Sequence, residues 1–183
     1  AIKRHISSGL KVVMTEKAAL TIRNNLSEVR SMGIELVKDE IEIAKRSGAP
    51  ISFEEVNTSK IIRFLAELGV EAQDIDVVAV AVQDHGAQPL GESNRRFRMK
   101  KMQELLEKNP RLETLAFEEG EIPKCFLRMR SAMQACKKQL PNATPIVMDT
   151  AISAVLGCLE DPVVAKSRRT LVVNIGNGHT LSA

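Results

Sequence analysis

Aromatic residues are scarce in this chain, which contains five Phe and neither Trp nor Tyr. The core must therefore be built mainly from aliphatic side chains and Met. Proteins that hold single-stranded nucleic acids usually stack the bases on aromatic rings. The composition therefore disfavours a nucleic-acid partner.

Cysteine is also scarce, and its spacing argues against a metal or cluster site. Cys125, Cys136 and Cys158 form no C-x-x-C pair, so neither zinc nor an iron–sulfur cluster is predicted. An odd number of cysteines without paired spacing suits a reducing compartment, and a cytoplasmic location is expected. No apolar run approaches the ~20 residues that span a bilayer, so no membrane partner is expected.

Positive and negative side chains are nearly equal in number, and the formal net charge is +3. Basic residues do cluster at positions 95–101 and 166–169. Such runs usually lie on solvated helix faces, and the alternative is a surface that binds an anionic ligand. The acid-free segment 1–15 is interpreted as part of the domain instead of a transit peptide, because the strand-like residues 10–14 lead directly into a helix.

What the chain has in abundance is an alternation of apolar strands and amphipathic helices. Strands are predicted near residues 10–14, 34–37, 75–82, 146–148 and 170–174, with helices at 16–32, 59–68, 93–108, 123–140 and 150–159. Residues 38–56 are predicted to be irregular. The β-branched run 75–82 indicates a strand buried on both faces, as in a parallel sheet covered by helices. The sequence therefore predicts an α/β fold with right-handed crossovers.

Polar and glycine-rich turns follow three of these strands. They comprise Gln83, Asp84, His85 and Gly86 after the third strand, Asp149 and Thr150 after the fourth, and Asn174, Gly176, Asn177, Gly178, His179 and Thr180 in and after the fifth. Ligands of open α/β sheets bind outside the carboxyl ends of the strands. Convergence of the three turns at one sheet edge would create one site.

Each of these features also has an ordinary structural interpretation. Gly176 and Gly178 would let backbone N–H groups approach a phosphate, but a Gly-Asn-Gly sequence is equally typical of a tight hairpin. Asp149 is more often a helix N-cap than a site residue. His85 and His179 follow strand ends beside other polar groups, so either could bind substrate or transfer protons.

The residues from Asp149 onward resemble the superfamily of actin-like ATPases, heat-shock chaperones and sugar kinases. Residues 149–159 are similar to its connecting helix, and residues 171–180 are similar to its second phosphate-binding strand and turn, with Asn174 in the place of the usual Asp. Residues 80–86 are similar to the Gln-x-His-Gly strand end that lines the pocket of sugar kinases. The resemblance implies a ribonuclease H-like, three-layer domain with a mostly parallel sheet.

Four separated motifs in order resemble one prokaryotic family of unknown function within that superfamily. They are residues 79–86, 93–95, 148–150 and 173–180. Some members are labelled pyruvate formate-lyase activating enzymes, a radical activity that needs three closely spaced cysteines. Because this chain has no such spacing, the label does not suit these residues.

By this resemblance the chain is an internal piece of an ATPase-fold protein, truncated at both ends. Residues 1–169 would form the α/β domain, with a sub-boundary in 38–56, and residues 170–183 would begin a second lobe. ATP and Mg²⁺ are implied as cofactors of the whole protein. Asn174 in place of Asp removes a carboxylate from the magnesium shell, and this piece alone is expected to be inactive.

Three functional hypotheses follow. The leading one is an ATP-dependent small-molecule kinase, in which Asp84, His85 and Asp149 are catalytic and the acceptor contacts are Gln83, His85, Gly86 and Arg95. In it, phosphate is bound by Asn174, Gly176, Asn177, Gly178, His179 and Thr180. The alternatives are a non-catalytic nucleotide- or protein-binding switch and a metal-assisted hydrolase built on Asp84, His85, Asp149 and His179. The partner is a small molecule or nucleotide, and homo-oligomerisation stays open.

Overall fold

A computed structural model describes residues 2–47, 54–89, 91–176 and 180–183. By their contacts the residues form two compact units. The first comprises Ala1–Phe53 with Ala87–Asn94, and the second comprises Glu54–Gly86 with Arg95–Ala183. The division after Phe53 lies within the segment where a sub-boundary is predicted. The prediction that residues 170–183 begin a further lobe stays a prediction.

The first unit is a small α/β arrangement around one parallel strand pair. Its elements are α1 (Ile2–Ser7), β1 (Val12–Thr15), α2 (Glu16–Ala19), α3 (Leu26–Ser31), β2 (Ile34–Val37) and α4 (Glu40–Ser47). Strands β1 and β2 are parallel, with Val12 opposite Ile34. Ala19, Val29 and Ile34 form its buried core.

The single helix predicted over residues 16–32 is wrong, because the structure has two short helices there. Thr15 caps α2 by accepting from the Ala18 N–H at 3.2 Å. Asn25 then begins α3, since its side chain accepts from the Ser27 N–H at 2.9 Å. An Asn side chain that caps a new helix competes with continuation of the old one.

The irregular segment predicted over residues 38–56 is also wrong in part, because it contains α4. The Asp39 carboxylate accepts from the Glu42 N–H at 2.9 Å, and the Glu42 carboxylate accepts from the Lys38 N–H at 3.2 Å. These two bonds satisfy backbone donors at the start of the helix. Gly48 and Pro50, residue types that are typical of loops, lie outside the described residues.

The second unit is larger and holds the residues predicted to be functional. Its elements are α5 (Ser59–Glu67), β3 (Val77–Ala81), α6 (Asn94–Leu106), β4 (Ala116–Phe117), α7 (Leu127–Gln139), β5 (Thr144–Met148), α8 (Thr150–Leu159), α9 (Pro162–Ala165), β6 (Val173–Ile175) and β7 (Thr180–Ser182). Strand β5 lies between β3, which is parallel to it, and β4, which is antiparallel. Strands β6 and β7 form a separate antiparallel hairpin.

An α/β fold is therefore confirmed at the level of class. The described strands form three small sheets instead of one mostly parallel sheet. The 123–140 region contributes an apolar stripe with helical spacing to the core of the second unit, and all its members are buried: Phe126, Met129, Met133, Cys136 and Leu140. Helix α7 itself begins at Leu127, four residues after Pro123.

The prediction that the third strand is buried on both faces is wrong. Val77 is 54% exposed, and exposed and half-buried residues alternate along β3. The described residues of the unit cover only one face of β3, which is also the edge strand of its sheet. Ile61 and Leu68 on α5 are likewise exposed. Among the described residues, no helix is long and apolar enough to cross a bilayer.

Candidate functional site

The parallel pairing of β3 and β5 brings two of the predicted turns together. Ala81 is opposite Met148 in the ladder, and the Val82 N–H donates to the Met148 carbonyl oxygen at 2.9 Å. Both strands therefore end at the same sheet edge. Residues 83–86 leave this edge from one strand, and Asp149 leaves it from the other.

The edge opens into a cleft of about 320 Å³ within the second unit. Its walls come from the end of β3, the first turns of α6 and α8, and the β6–β7 hairpin. The described residues that line it are Gln83, Arg95, Arg98, Met99, Thr150, Ala151, Asn174, Gly176, Thr180 and Leu181. Of the residues predicted to be functional, Gln83, Arg95, Asn174, Gly176 and Thr180 therefore come together.

Helix α6 supplies the basic wall of the cleft. Arg95, Arg98 and Met99 lie at i, i+3 and i+4 and so share one helix face. Phe97 points away from that face and is only 7% exposed. The basic run is thus divided, since Arg95 and Arg98 line the cleft whereas Arg96 is exposed and outside the lining.

Asp149 is fully buried beside the cleft and anchors the start of α8. Its Oδ1 accepts from the Ala151 N–H at 2.9 Å, as the predicted N-cap should. The same oxygen lies 3.4 Å from Nη2 of Arg98, whose side chain is 11% exposed. Within the part of the chain that the structure describes, Oδ2 of Asp149 is buried without a hydrogen-bond partner. Asp149 therefore positions both Arg98 and the helix N-terminus.

Asp84 is buried as well, but its carboxylate is occupied by backbone groups. Oδ1 accepts from the Gly86 N–H and Oδ2 accepts from the Met129 N–H, both at 2.9 Å. The side chain therefore joins the turn after β3 to the first turn of α7. Because both oxygens hold the framework together, this geometry favours a structural role over the catalytic role predicted for Asp84.

The other residues of this turn are also held in place by packing. Gly86 has φ +75°, and a Cβ atom on it would lie 2.9 Å from the Phe97 ring. Arg128 donates to the Gln83 carbonyl oxygen at 2.5 Å and pairs with Glu55, whose hydrogen bond raises the pKa of the guanidinium. His85 is half-buried and does not belong to the described lining of the cleft.

The hairpin wall carries the predicted phosphate-binding turn. Asn174 is in β6 opposite Leu181, and Thr180 begins β7. Asn177, Gly178 and His179, which belong to the same prediction, lie outside the described residues. Gly176, the described residue of the Gly-Asn-Gly sequence, lines the cleft beside the β6–β7 pair.

The electrostatics of the cleft favour an anion. Two guanidinium groups converge with the N-terminus of α8, where the helix dipole contributes a partial positive charge. Neutral hydrogen-bonding groups come from Thr150, Thr180, Gln83 and Asn174. No Asp or Glu occurs among the described residues of the lining. This arrangement suits a phosphate or carboxylate group.

A metal centre finds less support in the same region. The described residues contain no group of three or more His, Cys, Asp and Glu side chains placed to hold a metal ion. One member of the set predicted for a hydrolase, His179, is not among them. The metal-assisted hydrolase therefore stays a prediction.

Sequence reasoning missed Arg98 and Met99 as lining residues. The signal was present, because a helix predicted from residue 93 places positions 95, 98 and 99 on one face. Ala151 was missed because a small side chain at the start of a helix carries no chemical signature. Leu181 was missed because the hairpin partner of Asn174 depends on the register of β6 and β7.

Comparisons with known proteins give one match. The family described as “Putative pyruvate format-lyase activating enzyme (DUF1786)” matches residues 1–183. No curated protein matches the chain. No solved structure matches it.

Proposed function

The chain belongs to the DUF1786 family, and we propose that it binds a phosphate-bearing small molecule, such as a nucleotide, without turning it over by itself. The observation that carries the proposal is the cleft shared by Arg95, Arg98, the α8 N-terminus and the β6–β7 hairpin. Arg95, together with Arg98 and the helix N-terminus that both lie beside the buried Asp149, favours an anion over a neutral ligand.

The resemblance to actin-like ATPases agrees with this placement. In a ribonuclease H-like fold, the hairpin carrying Asn174 and Gly176 would be one phosphate-binding element, and α8 would be the helix that precedes it. A cleft of about 320 Å³ is at the lower end of the volume range of small-molecule sites. It would hold the phosphate part of a nucleotide as one wall of a larger site.

Binding without turnover is favoured over a kinase because the carboxylates of Asp84 and Asp149 already have other partners. Phosphoryl transfer needs magnesium and a group that positions or deprotonates the acceptor. Asp84 is occupied by two backbone N–H groups, and Asp149 caps a helix and pairs with Arg98. The described lining offers Mg²⁺ only neutral oxygens, so any magnesium would enter with the nucleotide.

The activity named in the family description needs a different set of residues. A radical activase binds an iron–sulfur cluster through closely spaced cysteine thiolates. Here Cys136 is buried in the core and Cys158 is exposed, and burial raises the pKa of the Cys125 and Cys136 thiols. These cysteines therefore do not fit an iron–sulfur cluster.

Thermal unfolding with Mg-ATP, Mg-ADP and pyrophosphate tests the proposal. A ligand at about 100 times its Kd adds roughly 2.7 kcal/mol to the free energy of unfolding. For a chain of this size that free energy corresponds to a rise in Tm of ~5–10 °C. Absence of a shift with all three ligands at millimolar concentration would overturn the proposal.

Two neighbouring arginines give a matched pair of variants. Arg95→Met removes a guanidinium that lines the cleft, whereas Arg96→Met removes an exposed one on the same helix that does not. We expect Arg95→Met to weaken the ligand-induced shift and Arg96→Met to leave it unchanged. Equal loss in both variants would indicate non-specific attraction to the basic helix and not the cleft.

A further inference from the structure

A second, apolar depression continues from the anion cleft along the same helix. This α6–α8 groove, of about 380 Å³, is floored by Met99, Met102 and Leu106 of α6 and Ile152 of α8. Met99 is 46% exposed although its neighbours Met102 and Ile152 are buried. An exposed thioether above a buried apolar floor can cover an apolar ligand without moving the core.

Two polar side chains border the groove, and they bond to each other. Nε2 of Gln103 donates to Oε1 of Glu107 at 2.8 Å. Because they bond to each other, Gln103 and Glu107 have fewer donors and acceptors left for the edge of a nucleobase. No aromatic ring belongs to the described lining of the groove, so a planar ligand finds no stacking partner there. Flexible Met and Leu side chains instead suit an aliphatic chain.

The groove and the anion cleft adjoin at Met99, which lines both of them. Arg95, Arg98, Met99, Met102 and Leu106 follow the i, i+3, i+4 spacing of one helix face. This face is basic at its N-terminal end and apolar beyond it. From Arg98 to Leu106 it extends for ~12 Å at 1.5 Å per residue.

We propose that the ligand of the anion cleft is an amphiphile whose single alkyl chain lies in the α6–α8 groove. The inference rests on the proposed anion-binding function and narrows its ligand class. Arg95 and Arg98 hold the phosphate monoester head, and Met99 covers the first part of the chain. A site open at the surface favours one linear chain over a bulky ring system.

A chain-length series of n-alkyl phosphates tests this inference by calorimetry. Methyl, butyl, hexyl and octyl phosphate share one head group and differ only in methylene groups, and all are used below their micellar concentration. Each fully buried methylene group tightens binding by about fourfold. Because the groove is open, we expect about twofold for each, and therefore roughly tenfold or more between butyl and octyl phosphate.

Met99 provides the variant and its matched control. Met99→Gln places an amide over the chain and should flatten the chain-length dependence, measured as the ratio of the octyl to the methyl phosphate affinity, so that any change in head-group binding cancels. Met99→Leu keeps an apolar side chain of similar size and should retain the dependence. Gln and Leu are both good helix formers, and position 99 is half-exposed, so α6 should stay folded.

The outcomes separate this inference from the proposed function. If methyl phosphate or pyrophosphate binds but the affinity is independent of chain length, the alkyl-chain inference is wrong and the anion cleft stands. If no phosphate of the series binds and pyrophosphate does not bind, both are wrong. A chain-length dependence that persists unchanged in Met99→Gln would place the chain elsewhere and also overturn the inference.

Discussion

At the scale of single residues, Asp149 does two separable things. It caps α8 through the Ala151 N–H, and it lies beside the guanidinium of Arg98. Asp149→Ala should lose both interactions, whereas Asp149→Asn keeps an amide oxygen that can cap the helix. We therefore expect the alanine variant to be less stable than the asparagine variant by about 1 kcal/mol, measured by urea unfolding.

The asparagine variant then isolates the charge partnership. Removing one member of a buried pair leaves the other charge uncompensated. We expect Asp149→Asn to be destabilised relative to the native chain and to recover part of that loss when combined with Arg98→Met. Additive effects of the two substitutions would show that the 3.4 Å approach carries no coupling free energy.

Gly86 makes a second prediction at this scale. Its φ of +75° disfavours any side chain, and an added Cβ would meet the Phe97 ring at 2.9 Å. We expect Gly86→Ala to cost about 2–4 kcal/mol of unfolding free energy, from backbone strain and overpacking together. Displacement of Phe97 would also move α6, so anion binding should weaken.

Gly120 is the matched control for that substitution. It has φ +88°, but a Cβ placed on it would meet nothing within 4 Å. Gly120→Ala should therefore carry only the backbone cost of about 1–2 kcal/mol and leave anion binding unchanged. Equal destabilisation of the two variants in urea would contradict a packing role for Gly86 against Phe97.

Residue roles differ in how well the sequence predicts them. The N-cap at Asp149 was predicted because capping depends on a few neighbouring residues. The occupation of Asp84 by the Met129 N–H could not be predicted, since 45 residues separate the two groups. Arg98 was within reach of helical spacing, but its approach to Asp149 requires knowing that α6 lies beside α8.

At the scale of elements, Asp84 joins the turn after β3 to α7. Its carboxylate accepts two backbone N–H donors, from Gly86 and Met129. Asp84→Asn replaces one acceptor by an NH₂ group that faces a buried donor. We expect a loss of about 1–3 kcal/mol in urea unfolding, since an unsatisfied buried group costs that much.

The same variant distinguishes structural from catalytic use of Asp84. If its role is structural, stability should fall at every pH where the chain is folded, and the residual folded protein should keep its affinity for pyrophosphate. Unchanged stability together with lost phosphoryl transfer in a longer protein would contradict our interpretation and restore the catalytic one.

Element boundaries were predicted where local signals agreed and missed where they competed. Helix α8 begins and ends as predicted because Asp149 caps it and β5 precedes it directly. Helix α4 was missed although Asp39 and Glu42 have the spacing of a capping box. The break before α3 is also fixed by tertiary structure, since the Asn24 side chain donates to the Gln88 side chain.

At the scale of the whole molecule, the division of the described strands among three sheets could not be predicted from the sequence. Local pattern indicates that residues 75–82 form a strand, but not that β3 occupies a sheet edge with Val77 exposed. The convergence of the three strand-end turns was a hypothesis about strand order. The structure brings Gln83, Thr150, Asn174, Gly176 and Thr180 of these turns to one cleft, whereas their use in binding stays a prediction.

The last prediction concerns which backbone amides a bound ligand protects from hydrogen exchange. Every described residue of the cleft belongs to the second unit. Saturating pyrophosphate should therefore slow amide hydrogen exchange in the first turn of α8 and in the β6–β7 hairpin. The amides that pair β1 with β2 should exchange as before, because a ligand stabilises only against openings that disrupt its site.

Equal protection of the β1–β2 pair would show that the two units open as one cooperative body, and protection confined to that pair would place the anion outside the cleft. Exchange measured in Arg95→Met supplies the control, since protection that depends on the cleft should disappear there while the β1–β2 amides stay unchanged.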